Sequence, residues 1–224
     1  MPIGLMGGTF DPIHNGHLIT AEKIREVFKL DAIYIIPCFI PPHKGQGDII
    51  SALHRYVMAV LATLDKDGLI ASPIELLRGK RSYTIDTIKQ FRAVLSSEEK
   101  IFFITGIDSF FTIKTWKQWR KLLDSCHFII NSRPGYSFDE LNNFLPASGR
   151  EKIVDLRGNV KLNRALLSEK QKQKGNYFIF LIDTPPVDIS ATEIREMIKR
   201  GERFEDMLPL PVAKYIKKNR LYLS

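Results

Sequence analysis

The chain has 224 residues, 44% of them hydrophobic, which is enough apolar surface to fill one α/β core of ordinary size. No apolar run approaches the roughly 20 residues of a membrane span, and the N-terminus shows no basic leader followed by a hydrophobic region and a small-residue cleavage site, so a cytoplasmic protein without a membrane partner is expected. Lys plus Arg number 33 against 25 for Asp plus Glu, and the net charge of +8 suggests phosphates, nucleic acid or an anionic surface without choosing among them.

Strand-like apolar runs stand at Ile3 to Met6, Ala32 to Ile36, Leu69 to Pro73, Ile101 to Thr105, Phe128 to Asn131 and Tyr177 to Ile182. They are mostly continuous, the pattern of strands buried on both faces. Between them the spacing turns helical: Leu18, Ala21, Ile24 and Phe28 share a face, and so do Leu53, Val57, Val60 and Leu64 behind a candidate cap at Ser51. The alternation predicts a Rossmann-like, doubly wound parallel sheet with helices on both faces and a small C-terminal helical part, all in one domain over 1–224. Cys38 and Cys126 adjoin apolar runs and read as reduced structural thiols rather than a disulfide or metal site.

The first strand leads into Gly7, Gly8, Thr9, Phe10, Asp11, Pro12, Ile13, His14, Asn15, Gly16 and His17, with a helix expected from about His17. Paired glycines let the backbone approach a ligand, and amides at a helix start make an anion site. His14 and His17 then lie where imidazole donors reach phosphate oxygens. A simple turn, a metal pair or a helix cap would also use such residues. The spacing is not the i, i+4 pair of a helical zinc site, no acidic or cysteine cluster adjoins it, and neither the P-loop nor the GxGxxG pattern is present. Phosphate binding therefore ranks first and a metal second, and no protein-held metal is expected.

Pro41, Pro42, His43 and Lys44 follow the second strand in a loop stiffened by proline. Ser82, Tyr83, Thr84, Ile85, Asp86 and Thr87 open a helix, with Ser82 or Thr84 as cap. Gly106, Ile107 and Asp108 leave the fourth strand, followed by Trp116 and Trp119, and Arg133, Pro134, Gly135 and Tyr136 leave the fifth. Singly, each has a structural explanation in a turn, a capped helix, a strand exit or core packing. Between Ser148 and Gly175 lysines, glutamines and glutamates crowd around the short apolar stretch Lys152 to Leu156, which reads as a peripheral basic excursion. The densest basic runs, Lys170 to Lys174 and Lys217 to Arg220, have little aromatic interleaving and read as solvated faces, so no nucleic-acid partner is expected.

Near the end, Ile189, Ser190, Ala191, Thr192, Glu193, Ile194 and Arg195 open a helix with an apolar face of Ile194, Met197 and Ile198 and a stop at Gly201. Ser190 with Glu193 is expected to form a capping box, which accounts for both residues without a substrate. It does not account for Arg195, a cation in the first turn, where the helix dipole disfavours positive charge. An anion held there would reverse the sign.

GGTFDPIHNGH resembles the HxGH signature of the nucleotidyltransferase superfamily, and ISATEIR resembles its ISSTxIR signature. The resemblance implies that His14 and His17 stabilise the departing pyrophosphate of ATP, and that Gly7, Gly8, Thr9, Phe10, Ile189, Ser190, Thr192 and Arg195 line its site. With the four middle stretches in register, nearly the whole chain resembles the nicotinate-nucleotide adenylyltransferase family, which joins ATP and nicotinate mononucleotide (NaMN) into nicotinate adenine dinucleotide and pyrophosphate. By that resemblance Trp116 stacks on the pyridine ring and the amides around Tyr83 and Thr84 meet its carboxylate. His43, Lys44 and Arg133 hold the NaMN phosphate, Gly106 and Asp108 contact ribose hydroxyls and adenosine, and Mg²⁺ accompanies ATP. Cys38, Phe39 and Ile40 depart from the family, whose members often carry an asparagine there. A related adenylyltransferase acting on nicotinamide mononucleotide or phosphopantetheine, and a non-catalytic nucleotide- or RNA-binding module, are the alternatives, and a homo-oligomer is compatible with the sequence.

Overall fold

The computed structural model describes residues 1–41, 49–96, 99–132, 135–158, 166–167, 169–170, 173, 176–185 and 187–223. Among them, seven strands form one sheet: β1 (Pro2–Gly8), β2 (Ala32–Pro37), β3 (Leu69–Ala71), β4 (Lys100–Gly106), β5 (His127–Asn131), β6 (Ile153–Asp155) and β7 (Ile179–Ile182), in the order β3-β2-β1-β4-β5-β7-β6. Parallel registers such as Leu5↔Phe103, Phe103↔Phe128 and Phe128↔Ile179 carry the continuous apolar runs. Chain order reverses between β1 and β4, the kind of reversal at which such sheets take ligands beyond their strand ends. The expected doubly wound α/β fold is thus present. One strand was hidden: the apolar stretch inside the basic excursion is β6, pairing in parallel with β7 at the sheet edge. Its brevity and its single buried residue, Val154, left little periodic signal.

Four helices alternate with the first strands: α1 (Asn15–Phe28), α2 (Ala52–Thr63), α3 (Ile74–Arg78) and α4 (Thr84–Val94). In α1 the expected face of Leu18, Ala21, Ile24 and Phe28 is buried. In α2 the expected cap forms, Ser51 Oγ accepting the His54 amide at 3.3 Å, but the buried face is a different one. Arg55, Met58, Ala59, Ala62 and Thr63 point inward, whereas Leu53 and Leu64 are exposed. Small residues allow the close approach, and an arginine that satisfies its guanidinium inside the fold displaces the larger apolar side chains outward. No helix among the described residues is long and apolar enough to cross a membrane.

Packing divides the chain into two compact units whose segments interleave: Met1–Met6, Ile24–Asp31 and Tyr83–Pro186 in the first, Gly7–Lys23, Ala32–Ser82 and Val187–Ser224 in the second. The first unit is cored by aromatics. Phe28 meets Phe102 and Phe180 edge-on at 5.7 and 5.4 Å between ring centres. His127 stacks on Phe102 at 4.7 Å, and its Nδ1 accepts the Phe178 amide at 3.1 Å. Burial pushes the His127 pKa down to about 4, assisted by the positive charges of Lys100 and Arg92. Cys38 and Cys126 are both buried and unpaired, and burial pushes the Cys126 thiol up to about 12.

His127 is expected to make the fold acid-sensitive. Its depressed pKa means that the unfolded chain binds the extra proton first, so the stabilising difference is complete above about pH 6.5 and is lost as pH falls toward 4. Between pH 7 and pH 5 this group alone is expected to remove about 2 kcal/mol of stability. His127→Asn, which keeps an acceptor for the Phe178 amide, should flatten that slope in urea unfolding, and an unchanged slope would relieve His127 of the role.

Candidate active site

In the second unit the chain leaves β1 through a tightly built loop. A side chain at Gly8 would put its Cβ 2.9 Å from the Phe10 ring, so the glycine is required where it stands. Phe10 is buried and takes φ +50°, a left-handed conformation rarely held by an aromatic residue unless its surroundings over-determine it. The peptide Asp11–Pro12 is cis. Gly8 O accepts the Cys38 amide at 2.9 Å, fastening the loop to the chain leaving β2.

The main fastener is Arg55 of α2, a residue of 0% exposure that the sequence reading passed over. Its guanidinium donates to Thr9 O at 2.8 Å, Phe39 O at 3.1 Å and Ile50 O at 3.1 Å, and Nη1 lies 3.6 Å from Cys38 Sγ. Phe39 N in turn donates to Ser82 Oγ at 2.9 Å. The stretch Cys38 to Ile40 that departs from the family pattern is therefore held by its backbone. The only signal for Arg55 in the sequence is a cation among residues of small side chain on one helical face.

The helix after the loop begins at Asn15, two positions earlier than expected, because His14 O accepts the amides of His17 and Leu18 at 3.0 and 3.4 Å. His14 is buried and His17 half-buried, their ring centres 3.7 Å apart. His17 also meets the edge of Phe10 at 5.0 Å. The His14 amide donates to His17 Nδ1 at 3.2 Å. Nδ1 therefore carries no proton, and in the neutral ring the proton sits on Nε2, making that edge a donor. Gly16 is held by neighbours on both sides: a Cβ would lie 3.1 Å from His14 Nδ1 and 3.4 Å from Val187 Cγ1.

The distant second motif meets this loop. Arg195 Nη1 donates to Asp11 O at 2.7 Å, and Nη2 donates to Thr192 Oγ1 at 3.3 Å. Tyr222, near the end of the chain, donates to Asp11 Oδ1 at 2.8 Å. Asn15 Nδ2 reaches Asp206 O at 3.1 Å. The helix is Ala191–Arg200, with Ile194 and Ile198 buried and Gly201 ending it at φ +69° as expected. The capping box is absent: Ser190 occupies the N-cap without a side-chain hydrogen bond to the helix. The first amides of this helix thus receive no cap from the Ser190 side chain. Neither Asp11 nor Tyr222 was singled out from sequence, since a contact across 211 positions leaves no local pattern.

The first unit holds another expected group. Tyr83, not Ser82 or Thr84, is the N-cap of α4, and Ser82 is occupied by the Phe39 amide instead. Trp116 is half-buried, its Nε1 donating to Thr112 Oγ1 at 3.0 Å and its ring edge-on to Phe103 at 6.0 Å. Neighbouring Lys117 ties this turn to the α4 start, bonding Asp86 Oδ2 at 2.8 Å and lying 4.8 Å over the Tyr83 ring. Gly106 caps the helix after β4, and a Cβ there would meet Asp108 Oδ1 at 2.5 Å, so Asp108 uses the space that glycine leaves. His43, Lys44 and Arg133 lie outside the described residues.

The family model described as cytidylyltransferase-like matches residues 5–197. A probable nicotinate-nucleotide adenylyltransferase of Thermoanaerobacter sp. (strain X514) is 39% identical over 98% of this chain and 93% of its own. One of Geobacter sp. (strain M21) is 37% identical over 100% and 99%. Among solved structures, the nicotinic acid mononucleotide adenylyltransferase of Plasmodium falciparum complexed with NaAD superposes with a TM-score of 0.71 at 20% identity, covering 99% of this chain and 97% of that one, a likeness of fold.

Proposed function

The chain belongs to the cytidylyltransferase-like family, among the nicotinate-nucleotide adenylyltransferases, and from that premise we propose that it joins the AMP moiety of ATP to NaMN, giving nicotinate adenine dinucleotide and pyrophosphate in NAD biosynthesis. The observation that carries it is the 2.7 Å bond from Arg195 to Asp11 O, which draws the helix 191–200 onto the histidine loop. One cation, two imidazoles and two helix starts in one unit suit a polyphosphate. Neither unit is a continuous stretch of chain, which supports one nucleotidyltransferase domain over 1–224.

The NaMN phosphate is ionised near neutral pH and needs no protein nucleophile. One of its oxygens bonds to the α-phosphorus of ATP as the bond from that phosphorus to the β-phosphate oxygen breaks, and pyrophosphate leaves with the electron pair. Catalysis is then positioning and electrostatics. His17 Nε2–H, His14 and Arg195 meet the charge growing on pyrophosphate, with the amides of Gly7 to Phe10 and of Ser190 and Thr192 and the Ile189 backbone lining the phosphate path. By family resemblance Trp116, Tyr83 and Thr84 take the nicotinate end, His43, Lys44 and Arg133 its phosphate, and Gly106 and Asp108 the adenosine. No group of three or more His, Cys, Asp or Glu fit to hold a metal occurs among the described residues, so we assign Mg²⁺ to the phosphates of ATP, whose charge it shields when bound.

Pyrophosphate release from ATP and Mg²⁺ tests the assignment against NaMN, nicotinamide mononucleotide and phosphopantetheine offered in parallel. NaMN should give the highest kcat/KM, since amide donors at the α4 start suit an acid better than a carboxamide. A higher value with either rival would replace the acceptor, and salt-dependent RNA binding without pyrophosphate release would replace the enzyme.

A further inference from the structure

Beyond the helix Leu210–Lys218 the chain turns back inward. Arg220 and Tyr222 take φ of +51° and +66°, a left-handed conformation that is strained for a residue other than glycine. The bend brings Tyr222 to 8% exposure and delivers its hydroxyl to Asp11 Oδ1 at 2.8 Å. Asp11 is itself 3% exposed. Its other oxygen, Oδ2, accepts no hydrogen bond among the described residues and lies 4.0 Å from Arg195 Nη1, which donates instead to the Asp11 backbone oxygen.

A buried carboxylate this near a guanidinium gains by rotating into a direct, two-point pair. Such a pair would consume the N–H groups and the charge that Arg195 offers an anion. We propose that Tyr222 is a positioning residue which, by holding Asp11 Oδ1, keeps the Asp11 carboxylate from closing on Arg195 and so leaves the guanidinium available to the nucleotide phosphates. This rests on the assignment of Arg195 to ATP made above. Burial and the adjoining Asp11 charge both raise the phenol's pKa, so it remains a donor throughout the neutral range. The backbone strain at the chain's end is maintained for a contact with the site, not for core packing alone.

The test uses the full chain with Tyr222→Phe, Asp11→Asn and the double variant, Asp11→Ser serving if Asp11→Asn fails to fold. Pyrophosphate release is followed with ATP varied at saturating NaMN, binding of inorganic pyrophosphate is measured by calorimetry, and thermal midpoints are recorded. Tyr222→Phe is expected to lower kcat/KM for ATP about tenfold and to weaken pyrophosphate binding by a similar factor, the worth of one charge-assisted bond. In the Asp11→Asn background, where no charge is left to swing, the same substitution should change either quantity by less than about twofold. A Tyr222→Phe enzyme within about twofold of wild type in both readouts, or an equal loss in both backgrounds, would overturn the proposal, the latter making the hydroxyl merely structural. If the wild type releases no pyrophosphate with NaMN, the acceptor assignment fails separately, and pyrophosphate binding decides the role of Tyr222 on the same terms.

Discussion

His17→Ala is expected to lower kcat for pyrophosphate release by about 100-fold or more, the scale on which one preorganised donor to a developing charge counts. The ring is fixed from three sides: the His14 amide on Nδ1 at 3.2 Å, the His14 ring 3.7 Å away and the Phe10 edge at 5.0 Å. That arrangement costs no reorganisation when charge builds on the leaving pyrophosphate, which is why the loss should fall on kcat more than on KM for ATP. His17→Gln places an amide donor near the position of Nε2 and should recover part of the rate. An alanine enzyme within threefold of wild type in steady-state turnover would remove His17 from the mechanism, whatever its effect on binding.

Strands and glycine-rich turns with a strong local pattern were legible in the sequence. The strands β4, β5 and β7 are buried on both faces, so continuous apolar runs mark them. The glycine and histidine loop and the helix of Arg195 were each recognisable by residue type, and their meeting is now a hydrogen bond. Arg195 stands out in the sequence as a cation where the helix dipole opposes one, and the partners the structure gives it are Asp11 O and Thr192 Oγ1. Long-range satisfaction of polar groups was not legible. The capping-box spacing of Ser190 and Glu193 promised a bond that does not form, because spacing permits a cap without requiring it. The buried face of α2 was misjudged because hydropathy scores Arg55 as outward, although carbonyl acceptors inside the fold outweigh that preference. Asp11 and Tyr222 illustrate the same limit, for each is unremarkable until the other is placed beside it.

Arg55→Met should destabilise the fold by about 4 kcal/mol, although methionine fills much of the same volume. The substitution removes a desolvated charge, which by itself would be favourable. Against this, Thr9 O, Phe39 O and Ile50 O each lose their donor, and a buried acceptor left unpaired costs about 1–3 kcal/mol. Orphaned acceptors therefore outweigh the relief. For a chain of this size the thermal midpoint should fall by roughly 8–16 °C. Arg55→Lys separates charge from geometry: an ammonium carries the same charge but cannot span three carbonyls set around a planar fork, so it should recover less than half of the loss. Because Thr9 belongs to the histidine loop, turnover measured well below the midpoint should fall as well, through loosened positioning of His14 and His17. A methionine variant melting within about 2 °C of wild type would show that water or a shifted backbone can satisfy those carbonyls, and the loop would then owe its shape to its remaining ties from Cys38, Arg195 and Tyr222.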